Sequence, residues 1–97
     1  MTGELVFQKA LMQADRGDAS GAEATLRSLL STTPAGALRV RAMIVLGDLL
    51  HTHDVHEARR VLTDALATIE QLGDADDLLD AEAARARELL ASQGRRR

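Results

Sequence analysis

The side chains best suited to chemistry in this 97-residue sequence lie in one short segment, His51-Thr52-His53-Asp54-Val55-His56, which holds all three histidines of the chain. Imidazole and carboxylate groups bind Zn²⁺, and imidazole also suits Ni²⁺. A metal site formed by His51, His53 and His56 is therefore one hypothesis. Two features oppose it: Asp54 is placed to cap a following helix, and His51 and His53 would diverge by about 200° on a regular helix. We favour a solvated polar turn and expect no resident metal and no cofactor.

The same segment resembles the HxHxDH signature of metallo-β-lactamase-type hydrolases, with the aspartate and the residue after it exchanged. In that family the motif lies on a strand-end loop of a large αβ sandwich, and a chain of 97 residues with helical patterning is too short to build one. No serine has a base at a recognisable spacing, and the glycines form no phosphate-binding loop. We therefore expect a protein that is not an enzyme and has no small-molecule substrate.

Composition narrows the class of protein further. The absence of cysteine excludes a disulfide framework, a zinc ribbon and a cysteine nucleophile. The net charge of −3 argues against general binding to nucleic acid or to an anionic membrane. No stretch approaches the about 18 apolar residues of a membrane span, and the N-terminus lacks the pattern of a secretory signal. These features predict a cytoplasmic protein, and the heavy use of Ala, Leu and Arg indicates a bacterial source with a high-GC genome.

Amphipathic helices account for most of the sequence, because apolar residues recur at three- and four-residue steps between Gly, Pro and capping residues. The predicted helices cover about 4–16, 20–33, 37–52, 54–72 and 75–93. No run alternates with period two, so no strand is predicted. The expected fold is all-α, with five antiparallel helices in a single domain over 1–97. The third helix is apolar over so much of its circumference that it should be central.

Local signals mark several helix ends. Asp18 or Ser20 can cap the second helix, and Ser20-x-x-Glu23 has the form of a capping box. Asp54-x-x-Glu57 is a similar arrangement at the fourth helix, whose predicted apolar face includes Val55. Glycines follow the first and fourth helices, where a left-handed residue often ends a helix.

A repeat is visible at a spacing of 36 residues, where Gly17-Asp18, Ala22 and Leu26 recur as His53-Asp54, Ala58 and Leu62. A period of this length with two helices per unit is typical of stacked helical hairpins. At these positions, and at Pro34 and the Leu46-Gly47 pair, the chain resembles the tetratricopeptide (TPR) family. The resemblance implies a short right-handed solenoid of about two and a half hairpins: repeat one over about 4–34, repeat two over about 37–72, and a capping helix over about 75–93.

The sequence also departs from the TPR pattern. Aliphatic residues occupy the aromatic positions of the family, no proline follows the second unit, and His53 replaces the turn glycine. A helical bundle without repeats is therefore an alternative fold.

In the TPR family, the first helices of successive hairpins line a concave groove that holds a peptide. Of the positions on the first and third helices that the resemblance assigns to this groove, six are predicted to bind the partner, namely Phe7, Leu11, Asp15, Arg41, Ile44 and Asp48. The resemblance implies a small adaptor or scaffold that binds a protein or peptide between its first and third helices, with Arg39 also helping to orient the partner. The alternative is a purely structural role, in which Phe7, Leu11 and Ile44 are ordinary core residues.

The first helix supports a second functional hypothesis, because it is less polar than an end helix of a solenoid should be. It carries Leu5, Val6, Phe7, Leu11 and Met12. These residues could join two copies in a symmetric homodimer, which is the commonest closed assembly, or attach the chain as a structural subunit to a larger assembly.

Overall fold

Helices dominate the computed structural model, which describes residues 2–73 and 79–94. They are α1 (Gly3–Asp15), α2 (Ala19–Thr32), α3 (Ala37–Leu50), α4 (Val55–Leu72) and α5 (Asp80–Gly94). The prediction of an all-α protein with five helices is confirmed, and the described residues contain no strand. The predicted start of the fifth helix near residue 75 and the acidic residues Asp74, Asp76 and Asp77 lie outside the described residues.

Asp18 begins α2 by capping it, with its Oδ1 accepting the backbone N–H of Gly21 at 2.9 Å. Ser20 lies within the helix, so the predicted capping box does not form there. Its second member, Glu23, has its carboxylate 3.1 Å from the guanidinium of Arg27. Of the two caps that the sequence allowed, Asp18 is the one used.

The sequence signals at three other helix ends, the start of α4 and the ends of α1 and α4, are also confirmed. Asp54 Oδ1 accepts the backbone N–H of Glu57 at 3.1 Å and caps α4. Gly17 follows α1 with φ of +84°, and Gly73 follows α4 with φ of +72°. Both glycines are in the left-handed region, where a side chain would be strained.

The central position predicted for the third helix is confirmed, since α3 packs against each of the other four helices. One group of buried residues joins α3 to α1, α2 and α4: Ala10, Leu26, Leu29, Ala42, Leu46, Leu50 and Ala58. A second group joins α3 to α4 and α5: Val40, Met43, Ile44, Leu62, Ala65, Ala86 and Leu89. The radius of gyration, 12.9 Å, is close to the about 13 Å of a folded chain of this length.

The contact between α3 and α4 depends on a missing side chain. Gly47 is buried in α3, and a Cβ atom at this position would lie 2.6 Å from both Cγ and Cδ2 of Leu62. Real atoms do not approach so closely, so only a hydrogen fits between the Gly47 backbone and Leu62. Gly47 therefore allows α4 to come closer to α3 than a residue with a side chain would.

Three apolar residues that their spacing places on the apolar faces of the first and fourth helices are exposed instead, namely Leu5, Leu11 and Val55. Val55 is 39% exposed, which corrects its predicted burial. It is the first residue of α4, beside the exposed turn that links α3 to α4, and has no preceding helical turn to flank it. Leu5 on α1 is 55% exposed.

Among the described residues, no helix combines the length and hydropathy needed to cross a membrane.

Candidate protein-binding groove

A pocket of about 240 Å³ opens where α1, α3 and α5 meet, and we call it the α1–α3–α5 groove. It is lined by Phe7 from α1, by Arg41, Ile44 and Val45 from α3, and by Ala81, Glu82 and Arg85 from α5. Three of the six predicted partner-binding residues thus lie around one opening. Clefts that bury small molecules usually measure about 300–1,000 Å³, so this groove is better matched to a side chain of a larger partner.

Apolar side chains form the floor of the groove and belong also to the core. Ile44 is 7% exposed and packs in the cluster between α3, α4 and α5. Phe7 and Val45 are half-buried and pack against the cluster on the other side of α3. Because α3 is central, one face of it serves both the core and the groove. Phe7 and Ile44 therefore pack in the core and also line the groove, so the two interpretations of these residues are compatible.

Two ion pairs of opposite polarity cross from α3 to α5 along the rim. Arg41 Nε donates to Glu82 Oε2 at 3.2 Å, and Arg85 Nη2 donates to Asp48 Oδ2 at 3.4 Å. Arg85 also hydrogen-bonds Glu88 on its own helix. The hydrogen bond that Arg85 donates to Glu88, helped by the charge of Asp48, raises the pKa of Arg85, so this guanidinium stays charged. The predicted residue Asp48 does not line the groove itself, and it is linked to the groove wall through Arg85.

The remaining predicted residues lie elsewhere. Leu11, 36% exposed, and the exposed Asp15 follow Phe7 by one and two turns of α1, and neither lines the groove. Arg39 Nη1 donates to the carbonyl oxygens of Leu30 at 2.7 Å and Thr33 at 2.9 Å. These are carbonyls that the end of α2 leaves without helical partners. Arg39 therefore holds the end of α2, and the partner-orienting role predicted for it stays a prediction.

Sequence reasoning missed the wall that α5 contributes. Ala81, Glu82 and Arg85 line the groove, whereas the fifth helix was expected to act as a polar cap. The predicted repeat pattern contained a signal for this wall, because in that pattern a helix that follows two hairpins would be the first helix of a third unit. The rule that placed the first and third helices along the groove extends to the fifth as well.

The histidine segment forms a turn between α3 and α4. His51 is half-buried after the last residue of α3, and His56 is exposed in the first turn of α4. His53 Nε2 lies 3.3 Å from Glu23 Oε2, and Asp54 is committed to capping α4. Within the part of the chain that the structure describes, no three His, Cys, Asp or Glu side chains are grouped so that they could hold a metal ion.

Beside this turn, one arginine links α2 to α4. Arg27 Nη1 and Nη2 donate to the two carboxylate oxygens of Glu57 at 2.7 and 2.8 Å, and Nη2 also donates to Glu23 at 3.1 Å. The hydrogen bond from Arg27 lowers the pKa of Glu57 below its ordinary value of 4.5 and, in turn, the bond to Glu57 raises the pKa of Arg27. A bidentate ion pair of this kind has a more defined geometry than an ion pair with one hydrogen bond.

The depressed pKa makes this link sensitive to acid. A carboxyl whose pKa is lower in the folded protein adds stability above its unfolded pKa, and that stability disappears as the pH falls through the folded value. We expect Glu57→Gln to lower the free energy of unfolding by about 1 kcal/mol at pH 7. The deficit should shrink below about pH 4.5 and vanish once Glu57 is protonated. Urea unfolding at pH 7 and at a pH well below 4.5 measures this deficit, with the exposed Glu70→Gln as a control. A deficit that does not change with pH would contradict the ion pair between Arg27 and Glu57 as its cause.

Comparison with known proteins adds no assignment: the chain matches no protein-family model, no curated protein and no solved structure. The class of protein is therefore defined by its fold and by its groove. This is a small all-helical protein with a central third helix. It has an apolar groove, edged by ion pairs, where α1, α3 and α5 meet.

Proposed function

We propose that the chain is a small, non-catalytic TPR-like adaptor that binds a protein or peptide partner in the cytoplasm. Equivalent positions of the two repeats support the fold part of this proposal. Ala22 and Ala58 are both 0% exposed, as are Leu26 and Leu62. In each repeat the small residue allows two helices to approach and the leucine fills the space beside it. The aspartates 36 residues apart, at 18 and 54, both cap the second helix of their unit.

The packing of the helices is also consistent with stacked hairpins. The most extensive contacts are those of α1 with α2 and of α3 with α4, the two proposed hairpins. In addition α3 contacts α1 and α5, as the first helices of successive units would in the proposed solenoid. Antiparallel hairpins stacked as a short solenoid would produce this set of neighbours.

The observation that carries the function is the groove itself. Three residues carried over from the TPR pattern, Phe7, Arg41 and Ile44, lie far apart in sequence and line one opening in the structure. An apolar floor surrounded by charged residues is the usual composition of a protein-binding site. In the proposed mechanism the partner inserts an apolar side chain against Phe7 and Val45, and the charged rim fixes its orientation.

A variant that fills the groove tests this function. Ile44 is too buried for the purpose, because Ile44→Glu would unfold the protein. Ala81 is exposed and lines the opening, so Ala81→Phe occupies it without disturbing the core. Ala67→Phe, at an exposed position of α4, is the matched control. We expect wild type and Ala67→Phe to capture the same protein from native lysate, and Ala81→Phe to lose at least nine-tenths of it, after circular dichroism shows that all three are folded. Equal capture by Ala81→Phe would refute the proposal.

Homo-oligomerisation is the alternative function, and one observation favours it. Leu5 and Met12 are 55% and 53% exposed on α1, and with Gln8 and Lys9 they border a shallow depression of about 480 Å³. If this surface joined two copies, wild type would have twice the monomer mass in light scattering, and Leu5→Glu would be monomeric. A monomeric wild type removes this alternative.

A further inference from the structure

The side chains that line the α1–α3–α5 groove carry a net positive charge. The lining holds two arginines, Arg41 and Arg85, against one carboxylate, Glu82. Arg85 has both of its terminal nitrogens engaged, because Nη1 bonds Glu88 and Nη2 bonds Asp48. Arg41 is therefore the cation of the lining that a partner can use.

Arg41 has hydrogen-bond donors that the fold leaves unused. Its Nε donates to Glu82 Oε2 at 3.2 Å, and no described residue accepts a hydrogen bond from its terminal nitrogens. The side chain is 44% exposed. Because a guanidinium presents its N–H groups as a planar fork, one that is held through Nε can still bind a second carboxylate through Nη1 and Nη2.

The groove offers a cationic partner nothing comparable. Glu82 is the one carboxylate that the described residues contribute to the lining. Its Oε1 is closed to solvent, and its Oε2 already accepts from Arg41. The hydrogen-bonding groups that a partner can reach are therefore donors, which match an anion.

Two further carboxylates, Asp48 and Glu88, lie near the groove but away from Arg41, and both pair with Arg85. Asp48 follows Arg41 by about 10 Å along the axis of α3, and Glu88 follows Glu82 by about 9 Å along the axis of α5. Their side chains are 50% and 66% exposed. Repulsion between exposed charges is largely screened beyond about 8 Å at physiological ionic strength, so neither residue excludes an anion from Arg41.

We infer that the groove binds a segment in which a large aliphatic side chain neighbours an aspartate or glutamate, whose carboxylate accepts hydrogen bonds from Nη1 and Nη2 of Arg41. The inference rests on the proposed function, since it specifies what the same groove binds. The aliphatic side chain lies against the half-buried Phe7 and Val45. Arg41 and Val45 are one helical turn apart, with about 5–6 Å between their Cβ atoms, so the acidic and aliphatic side chains of the partner must be adjacent on its surface.

Three synthetic peptides of equal length, with both ends blocked, test this chemistry: one of leucine and glutamate, one of leucine and lysine, and one of serine and glutamate. Fluorescence anisotropy with the full chain measures the affinity of each. We expect the leucine–glutamate peptide to bind at least about tenfold more tightly than the other two, since one charge-assisted hydrogen bond or one buried anchor is worth about this factor. The net charge of the chain, −3, would favour the lysine peptide, so it cannot produce this preference. The affinity should fall as salt rises, because Arg41 is exposed to solvent.

Variants of matched charge then place the binding at Arg41. Arg41→Gln and Arg59→Gln remove the same charge, but Arg59 lies at an exposed position of α4 and outside the groove. We expect Arg41→Gln to weaken binding of the leucine–glutamate peptide about tenfold and Arg59→Gln to change it by less than about twofold. Ala81→Phe should abolish binding, with Ala67→Phe as its control.

A further variant separates the charge of Arg41 from its ion pair. Glu82→Gln breaks the same pair as Arg41→Gln, but it keeps the guanidinium and removes the carboxylate beside it. We expect Glu82→Gln to bind the leucine–glutamate peptide about two- to fivefold more tightly than wild type. If the pair served only to hold α5 against α3, both variants would lose the peptide alike.

Preference for the leucine–lysine peptide would overturn the inference, and so would equal binding of the serine–glutamate peptide, which would show attraction without an anchor. Equal loss in Arg41→Gln and in either Arg59→Gln or Glu82→Gln would overturn it too, as would a wild type that binds none of the peptides. Its failure is distinguishable from failure of the adaptor function in the lysate capture assay. If Ala81→Phe loses the captured protein and Arg41→Gln retains it, the groove binds a partner of other chemistry.

Discussion

Truncation of Leu62 to alanine is expected to lower the free energy of unfolding by about 2–5 kcal/mol. Leu62 is fully buried in α4 and packs among the residues that join α3, α4 and α5. Its removal leaves a cavity beside the backbone of Gly47, and the rigid helices on either side cannot collapse to fill it. Urea unfolding followed by circular dichroism measures the change.

The same site predicts a reversal of sign in a double-mutant cycle. In the wild-type background Gly47→Ala should cost about 1–3 kcal/mol, since its Cβ would collide with Leu62. In the Leu62→Ala background the collision is gone, and alanine is a better helix former than glycine by about 1 kcal/mol. There Gly47→Ala should stabilise the protein. Destabilisation of similar size in both backgrounds would show that α4 does not approach α3 at Gly47.

Ala86→Glu is expected to cost about 3 kcal/mol or more, because it places a charge where the structure leaves no room and no water. Ala86 is 0% exposed and lies in the cluster that holds α5 against α3 and α4. Since α5 forms one wall of the groove, the variant should also lose the captured partner. Both results come from one preparation, by urea unfolding and by the capture assay.

The control for this variant lies two residues away. Ala84 is exposed on the same helix, so Ala84→Glu introduces the same side chain at the surface. Its free energy of unfolding should stay within about 0.5 kcal/mol of wild type. If Ala84→Glu and Ala86→Glu were equally harmless, α5 would not be docked as described, and the groove would lose a wall.

Helix content and the central helix could be predicted from sequence, because they depend on local periodicity. The broad apolar surface of α3, from Val40 to Leu50, had no other stable location than between neighbours. Capping by Asp18 and Asp54 could likewise be predicted, since an N-cap needs a short side chain with a hydrogen-bond acceptor at the residue before the helix. The choice of Asp18 over Ser20 could not be predicted, because both side chains are able to cap a helix and the pattern does not fix the first helical residue.

The groove was only partly predictable for a physical reason. A resemblance to a repeat pattern indicates which residues of each unit face one another, and it selected Phe7, Arg41 and Ile44. Pairing across helices depends on how far the units rotate and on the reach of long side chains. The bonds of Arg41 to Glu82 and of Arg85 to Asp48 join residues 41 and 37 apart in sequence, and no local pattern encodes them.

The proposed function requires that a partner occupies the groove where α1, α3 and α5 meet. Site-specific photo-crosslinking tests it most directly, with p-benzoylphenylalanine introduced at position 81 in the groove or at position 67 on α4. We expect a cross-linked heterologous protein at position 81 and none at position 67, with the attached segment identified by mass spectrometry. Equal cross-linking at both positions, or cross-linking at 81 to a second copy of this chain alone, would contradict it.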